Sequence, residues 1–205
     1  MPIITKIKPQ KNKKRVNVYL DGKFGFGLDL ENFLKLGLKA EQELRDKEIE
    51  EIIKKANFQK TLDKLLRFTA LRPRSEKEIN DWLKKHKVHK SLHQELFNRL
   101  KRLKLQDDRE FAKWWVGQRL QFKYKSKKEL VYELRTKGLD KNIIEDVLSE
   151  VEIDEEKIAR QLLEKKKYRW EKLGKFEKKK KMGEFLGRKG FGWSVIDKVI
   201  KDLIT

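Results

Sequence analysis

The chain lacks cysteine altogether, has three prolines among its 205 residues, and contains no long uninterrupted run of apolar residues. The absence of cysteine excludes disulfide bonds and thiolate metal sites and permits a reducing compartment. The absence of a long apolar run excludes a transmembrane helix, and the start, MPIITKIKPQKNKKR, lacks the apolar core of a signal peptide. We therefore expect a cytoplasmic protein that makes no membrane contact.

Charge is what the chain has in excess. It carries 53 Lys and Arg against 33 Asp and Glu, a formal net charge of +20, and 42% of its residues are charged. This excess predicts a polyanionic partner, and the interleaved acidic residues indicate a folded charged surface rather than a basic tail. Because little apolar material is available per unit length, an extended helical protein with a thin core is favoured over one compact globule.

A unit of about fifty residues occurs three times, and its copies are marked by SEKEINDWLKKHKV from Ser75, SKKELVYELRTKGL from Ser126 and KKKMGEFLGRKGF from Lys179. Such a repeat predicts a three-helix unit that buries its apolar face partly against its neighbours, and the resulting surface favours binding over catalysis. The apolar positions that align in the three copies are Ile79, Leu83, Val88 and Leu96; Leu130, Leu134, Leu139 and Val147; and Met182, Leu186, Phe191 and Val199.

The amino-terminal segment has a different pattern, in which apolar and polar residues alternate. The alternating stretches are residues 3–8, 15–20 and 24–28. Asp21-Gly22 lies between the second and third stretches and predicts a type I′ hairpin turn, because both central residues of that turn need positive φ. We expect a small antiparallel meander, followed by a short helix over 29–36 that ends at Gly37 and covers the end of the helical array.

Helix signals divide the remainder of the chain. A long helix is predicted from Asp46, with a break near Asn57, and Pro73 prevents its continuation. Serine and aspartate residues stand at N-cap positions, and glutamates stand at two capping-box positions. Glycines stand at two helix ends. The helix that starts after Asp154 is expected to reach about Trp170. The residues that carry these signals are Ser75 with Glu78, Ser126 with Glu129, Asp107, Asp140, Asp154, Gly138 and Gly190.

The predicted fold class is therefore mainly α, an elongated array of three tandem three-helix repeats preceded by a small N-terminal antiparallel β-hairpin or meander cap. Residues 1–45 form the β-rich cap and residues 46–105 the first repeat with its lead-in helix. Residues 106–152 form the second repeat and residues 153–205 the third.

The densest cationic segment runs from 165 to 181, and Tyr168, Trp170 and Phe176 are interleaved with its charges. Cations follow phosphates and flat rings stack on bases, so this pattern is typical of a nucleic-acid or filament surface. The alternative is a solvated helix face with its rings in the core, which is the commoner outcome for any one ring. The candidate binding cations of this group are Lys165, Lys166, Lys167, Arg169, Lys178, Lys179, Lys180, Lys181, Arg188 and Lys189.

A second cationic group surrounds the loop between the first two helices of the central repeat. Equivalent loops of a repeat array fall on one edge, so two arginines of the first repeat would extend this group into a continuous basic rim. The alternative is that these are helix-end cations that complement the helix dipole. The candidates are Arg119, Lys123, Lys125, Lys127, Lys128 and Arg135, with Arg72 and Arg74 from the first repeat.

Other conspicuous residues do not indicate an active site. Trp114 and Trp115 belong to a stripe with the spacing of a buried helix face, so at least one is expected in the core. His89 and His93 stand four apart, but no third ligand completes a metal site. The glycines of residues 22–27 lie in a hairpin, not in a dinucleotide loop. No catalytic constellation is present, and we predict a protein that is not an enzyme and has no metal or cofactor.

Four segments, in order, resemble the RecX family of bacterial recombination regulators. They are RPRSEKEINDWL from Arg72, DDREFAKWWVGQRL from Asp107, KKELVYELRTKGL from Lys127 and FLGRKGFGWSVIDKVI from Phe185. VYLDGKFGFGLD from Val18 is similar to the amino-terminal extension of longer members. The resemblance implies a non-enzymatic regulator that binds the RecA recombinase, lies along the groove of its filament on single-stranded DNA, and depresses ATP hydrolysis, strand exchange and coprotease action.

The expected partners are thus the RecA filament and single-stranded DNA, with duplex DNA as a further ligand, and the expected state is a monomer. The charge alone also favours a general DNA-binding protein whose helical units enter duplex grooves, or an RNA- or ribosome-associated adaptor. The stretch KKKYRWEKLGKFEKKKK lengthens the third repeat relative to the second, which leaves its filament contact open.

Overall fold

The computed structural model describes residues 1–11 and 14–204. The elements are strands β1 (Ile4–Pro9), β2 (Arg15–Leu20) and β3 (Lys23–Asp29), and helices α1 (Leu30–Leu36), α2 (Asp46–Ala70), α3 (Glu76–Lys85), α4 (His93–Arg102), α5 (Asp108–Phe122), α6 (Lys127–Thr136), α7 (Lys141–Glu150), α8 (Glu155–Glu164), α9 (Lys175–Arg188) and α10 (Trp193–Ile204), with 3₁₀ turns at Lys90–Leu92 and Lys167–Arg169. The mainly helical class and the N-terminal antiparallel sheet are confirmed. The chain forms two compact units, residues 1–72 with 87–102 and residues 73–86 with 103–204.

The first unit is built on a three-stranded antiparallel sheet of order β1-β2-β3. Asp21 (φ 47°) and Gly22 (φ 80°) both have positive φ, so the predicted hairpin turn is confirmed. The predicted helix end at Gly37 is confirmed, since Gly37 closes α1 in the left-handed conformation, while Asp29 caps the start of α1. The inward side chains of the sheet pack with Ile52 and Ala56 of α2 in one apolar cluster.

Helix α2 is continuous over its 25 residues, and the predicted break near Asn57 is wrong. No glycine or proline interrupts this stretch, and the buried Ile52 and Ala56 on one side of Asn57 are followed by buried Leu62 and Leu65 on the other. Burial on both sides holds Asn57 in the helix, where its carbonyl accepts a 2.7 Å hydrogen bond from the Thr61 hydroxyl.

The second unit contains the second and third repeats. In the second repeat, α5, α6 and α7 enclose a core whose fully buried members include Leu130, Leu134 and Val147. In the third repeat, α10 packs against both α8 and α9, and Leu186 and Val199 occupy the corresponding buried positions. The aligned apolar positions of the sequence therefore form the cores of both repeats.

The third repeat departs from its predicted course after α8, which ends at Glu164 and does not continue to Trp170. The chain instead forms a 3₁₀ turn at Lys167–Arg169. This turn places the Trp170 ring 5.5 Å from the ring of Phe185 on α9, inside the core. Burial of that ring stabilises the changed backbone course.

Across residues 1–11 and 14–204, no helix combines the length and the apolar character that crossing a bilayer requires.

Candidate cationic interface

The start of α6 rests directly on the end of α9. The hydroxyl of the fully buried Ser126 accepts a hydrogen bond from the Glu129 amide (3.2 Å), which caps α6, and donates one to the Lys189 carbonyl (2.7 Å). One hydroxyl can do both because it has one donor and two acceptor positions. Gly190 has φ +82°, and a Cβ there would lie 3.0 Å from the Ser126 hydroxyl and 3.2 Å from Cβ of Lys128. Glycine is therefore required where the two backbones meet.

The same contact joins the start of α3 to the end of α6. The buried Ser75 hydroxyl accepts from the Glu78 amide (3.2 Å) and donates to the Lys137 carbonyl (2.8 Å). Gly138 has φ +83°, and a Cβ there would lie only 2.7 Å from Cβ of Lys77. We call each contact a serine joint: Ser75 with Lys137 and Gly138, and Ser126 with Lys189 and Gly190. The predicted serine caps are confirmed, and each one also connects a helix to the equivalent helix of the next repeat.

The glutamates three residues after the two serines also face lysines across the serine joints. Glu78 Oε1 lies 2.7 Å from Lys137 Nζ, and Glu129 Oε1 lies 3.7 Å from Lys189 Nζ. Lys189, one of the candidate binding cations, thus has an intramolecular counter-charge.

The backbone amides beside the two serines have carboxylate acceptors. The Glu76 amide donates to Asp108 Oδ1 (2.8 Å), and the Lys127 amide donates to Glu155 Oε1 (2.9 Å). Burial raises the pKa of Asp108, although the hydrogen bond from the Glu76 amide acts against this. These acceptors satisfy helix N-terminal amides that have no partner within their own helix.

The loop of residues 123–126, in front of α6, meets the first residue of the predicted cationic segment 165–181. Near the start of this loop, Lys165 Nζ from the end of α8 lies 4.2 Å from the centroid of the Tyr124 ring. Near its end, the Lys127 amide meets Glu155 in the first turn of α8. The loop therefore follows α8, and the cations of residues 123–128 share one surface with Lys165, which we call the cationic edge.

Arg119 and Lys125, both predicted to bind a ligand, contact carboxylates of their own repeat. Arg119 Nε donates to Glu133 (2.6 Å) and its guanidinium lies 3.9 Å from the Trp115 ring centroid, while Lys125 Nζ lies 3.2 Å from Glu133. Trp115 Nε1 also donates to Glu133 (2.9 Å). Burial would raise the pKa of Glu133, but these hydrogen bonds outweigh it and hold the pKa below its usual value. This arrangement can stabilise the repeat, so a ligand-binding role for either cation stays a prediction.

The remaining candidates differ in exposure. Lys166 and Lys178 are half-buried, and Arg72 and Arg74 are half-buried in the loop between α2 and α3. Their alignment with the loop of the second repeat stays a prediction. The exposed candidates are Lys123, Lys127, Lys128, Arg135, Lys165, Lys167, Arg169, Lys179, Lys180, Lys181 and Arg188.

The aromatic residues near these cations divide into core and surface. Trp115 and Trp170 are buried, so the expectation that one of the paired tryptophans lies in the core is confirmed. Tyr168 and Phe176 are exposed and remain available for stacking.

The two histidines with metal-ligand spacing form hydrogen bonds with different residues. His89 Nδ1 lies 2.9 Å from the Ser91 hydroxyl, and His93 Nε2 lies 3.0 Å from the Val88 carbonyl. Within residues 1–11 and 14–204, no group of three or more His, Asp or Glu side chains could hold a metal ion.

Sequence reasoning missed two residues that shape this unit. Glu133 sits beside the core residue Leu134, and nothing in the sequence marks it as the counter-charge of cations 8 and 14 residues away. Trp193, at the start of α10, is exposed although it stands three residues before the buried Ile196. The sequence signal that could have indicated this exposed ring is the pair Gly183 and Gly187, because two glycines one turn apart leave the α9 surface near Trp193 without side chains.

Three models of RecX domains match the chain. The Regulatory protein RecX N-terminal domain matches residues 2–45, the second RecX three-helix domain matches 107–148, and the third matches 154–200.

Similar proteins and structures extend over nearly the whole chain. A protein named Regulatory protein RecX from Bacillus licheniformis is 36% identical over 98% of this chain and 78% of its own length. Its namesake from Bacillus subtilis is 36% identical over 96% of this chain and 75% of its own. A crystal structure of regulatory protein RecX aligns with a TM-score of 0.74 and 27% identity over 98% of this chain and 100% of that one.

Proposed function

The chain belongs to the RecX family of regulatory proteins, and on that basis we propose that it binds the filament of RecA on single-stranded DNA and lowers the ATPase, strand-exchange and coprotease activities of RecA. It acts in the cytoplasm as a monomeric, non-enzymatic regulator of DNA recombination and repair. Its ligands are RecA itself and single-stranded DNA, with duplex DNA as a weaker competitor.

The observation that carries this proposal is the cationic edge of the second unit. Support comes from the contact between Lys165 and Tyr124, which puts Lys165 beside the cations of residues 123–128 in a protein with a net charge of +20. Release of counterions from a polyanion favours binding to such a surface, and its strength grows with the number of phosphates contacted.

Residues of the cationic edge divide between binding and support. The exposed Lys123, Lys127 and Lys128 are assigned to contact the filament. Arg119 and Lys125 are assigned to hold α5 and α6 together through Glu133. Neutralisation of the exposed cations should therefore weaken binding with little change in stability.

The decisive measurement is the single-strand-dependent ATPase of purified RecA during titration with this protein at moderate salt. Inhibition well below one molecule per RecA supports action on the filament. No effect until the DNA is saturated means competition for phosphates and contradicts the proposal.

A matched pair of variants tests the role of the cationic edge. The triple variant Lys123→Gln, Lys127→Gln and Lys128→Gln should raise the concentration needed for half-inhibition about tenfold or more, because three phosphate or carboxylate contacts are lost. The control carries the same change of charge on the exposed face of α2, at Lys47, Lys54 and Lys55. Equal inhibition by the two variants would mean that net charge, and not this surface, determines binding.

The high net charge also favours a second function, general binding of DNA or RNA. Binding of that kind needs no RecA and loses affinity steeply with salt, whereas filament binding retains a salt-resistant part from protein contacts. Copurification of nucleic acid that RNase removes would favour an RNA-associated adaptor.

A further inference from the structure

The third repeat carries an open apolar groove between α9 and α10. The groove has a volume of about 450 Å³, and Gly183, Ile196 and Ile200 contribute to its lining. Phe176 and Trp193 line it too, and these rings are 85% and 77% exposed. Two large rings left in water beside an apolar lining mark a contact surface more often than an ordinary part of a monomer surface.

Two helical glycines keep this groove open. A Cβ at Gly183 would meet only ordinary contacts, 3.7 Å from Cδ1 of Ile200, and a Cβ at Gly187 would meet nothing within 4 Å. Larger residues would therefore fit at both positions, although glycine is the poorest helix former apart from proline. The packing of this repeat does not require the glycines, whereas an open groove does.

The surroundings of the groove are cationic. Residues 175–204 contain nine Lys and Arg against four Asp and Glu. Asp197, on the rim, lies 2.7 Å from Lys201 and 4.0 Å from Lys179. The hydrogen bond from Lys201 and the nearby positive charges lower the pKa of Asp197, so this carboxylate is ionised and already neutralised by lysines. The groove lining holds Lys179 and Lys180 against Glu184 and Asp197, so the positive excess lies on the flanking parts of α9 and α10 and attracts acidic groups to the edges of the groove.

We infer that this groove binds an acidic amphipathic protein segment, with apolar side chains between Phe176 and Trp193 and carboxylates against the lysines of α9. The inference rests on the proposed function, in which the segment belongs to the RecA component of the filament. The apolar lining suits aliphatic or aromatic side chains, because the hydroxyls of a sugar would be buried there without hydrogen-bond partners. The groove thus supplies the salt-resistant protein contact, and the cationic edge supplies the electrostatic one.

Two variants alter the groove without altering the core. Trp193→Ala removes an exposed ring, and Gly187→Met fills the groove at a position with room for a side chain. Their matched controls are Tyr132→Ala, which removes a ring that is 73% exposed on α6, and Gly117→Met, at a helical glycine of α5 that also has nothing within 4 Å. Circular dichroism should show the same helix content for all four variants and the unaltered protein.

The experiment measures binding of each variant to two probes: RecA filaments on single-stranded DNA, and the same DNA without RecA. Trp193→Ala and Gly187→Met should each weaken filament binding about tenfold or more, as expected for a buried aromatic anchor. Binding to bare DNA should be unchanged, and both controls should behave as the unaltered protein does.

Two results would overturn the inference while leaving the proposed function in place. One is unchanged filament binding by both groove variants. The other is an equal loss of affinity for filament and bare DNA, which would make the groove a site for nucleotide bases. If the unaltered protein binds filament no better than bare DNA, the proposed function itself fails, and the inference fails with it.

Discussion

Substitution of Ser126 by alanine should destabilise the second unit about twice as much as the loss of an ordinary helix cap. The Ser126 hydroxyl makes two hydrogen bonds, from the Glu129 amide and to the Lys189 carbonyl. Loss of an N-cap side chain costs about 1 kcal/mol. Loss of a second, buried hydrogen bond costs about 1 kcal/mol more, and the Lys189 carbonyl is left without this donor. The expected decrease in the free energy of unfolding is therefore about 2 kcal/mol.

Asp140→Ala is the matched control, because Asp140 caps α7 through the Asn142 amide and is exposed. Its loss should cost only the cap contribution, about 1 kcal/mol. Urea unfolding followed by far-ultraviolet circular dichroism compares the two variants with the unaltered protein. If Ser126→Ala costs no more than Asp140→Ala, the hydrogen bond across the serine joint does not stabilise the contact between the two repeats.

Three further substitutions test the packing and electrostatics of the second unit. Gly190→Ala should cost about 1 to 3 kcal/mol of unfolding free energy, because φ +82° strains an alanine and its Cβ would crowd Ser126, whereas Gly187→Ala should be neutral or stabilising in the same urea experiment. Leu134→Ala should cost about 2 to 5 kcal/mol, since this side chain is fully buried; a smaller loss in urea would mean that the core collapses around the deletion. The pKa of Glu133 lies below its usual 4.5, so the stability it contributes is complete above that pH and is lost as the pH falls through the lower folded-state value. Thermal unfolding from about pH 6 to about pH 3 should therefore show a smaller loss of stability for Glu133→Gln than for the unaltered protein, and equal losses would contradict this assignment.

Features set by neighbouring residues were predictable from the sequence. The turn at Asp21-Gly22 depends on local backbone preferences, and the serine cap of α6 depends on an amide three residues away. The contact of Ser126 with the Lys189 carbonyl was not predictable, because every residue has a carbonyl and the sequence does not indicate which one will be near.

The sequence predicted which segments of the candidate site are cationic, but not which individual residues are exposed. The cationic segments were found from the sequence. The sequence does not distinguish Arg119 from a solvent-exposed arginine, because its partner Glu133 comes close only in the folded chain. Trp170 and Phe176 lie in one basic stretch, yet one is buried and the other exposed, because the 3₁₀ turn changes the direction of the chain between α8 and α9.

The serine joints make the second repeat complementary to a copy of itself. It carries both halves of the contact, a capping serine at Ser126 and a close-approach glycine at Gly138. The outer repeats each lack one half: Lys87 (φ 52°) stands where the first repeat would need glycine, and Gly174, without a hydroxyl, caps α9 in the third. Because the second repeat carries both halves, duplication of that repeat would add a further three-helix unit without requiring a new kind of contact.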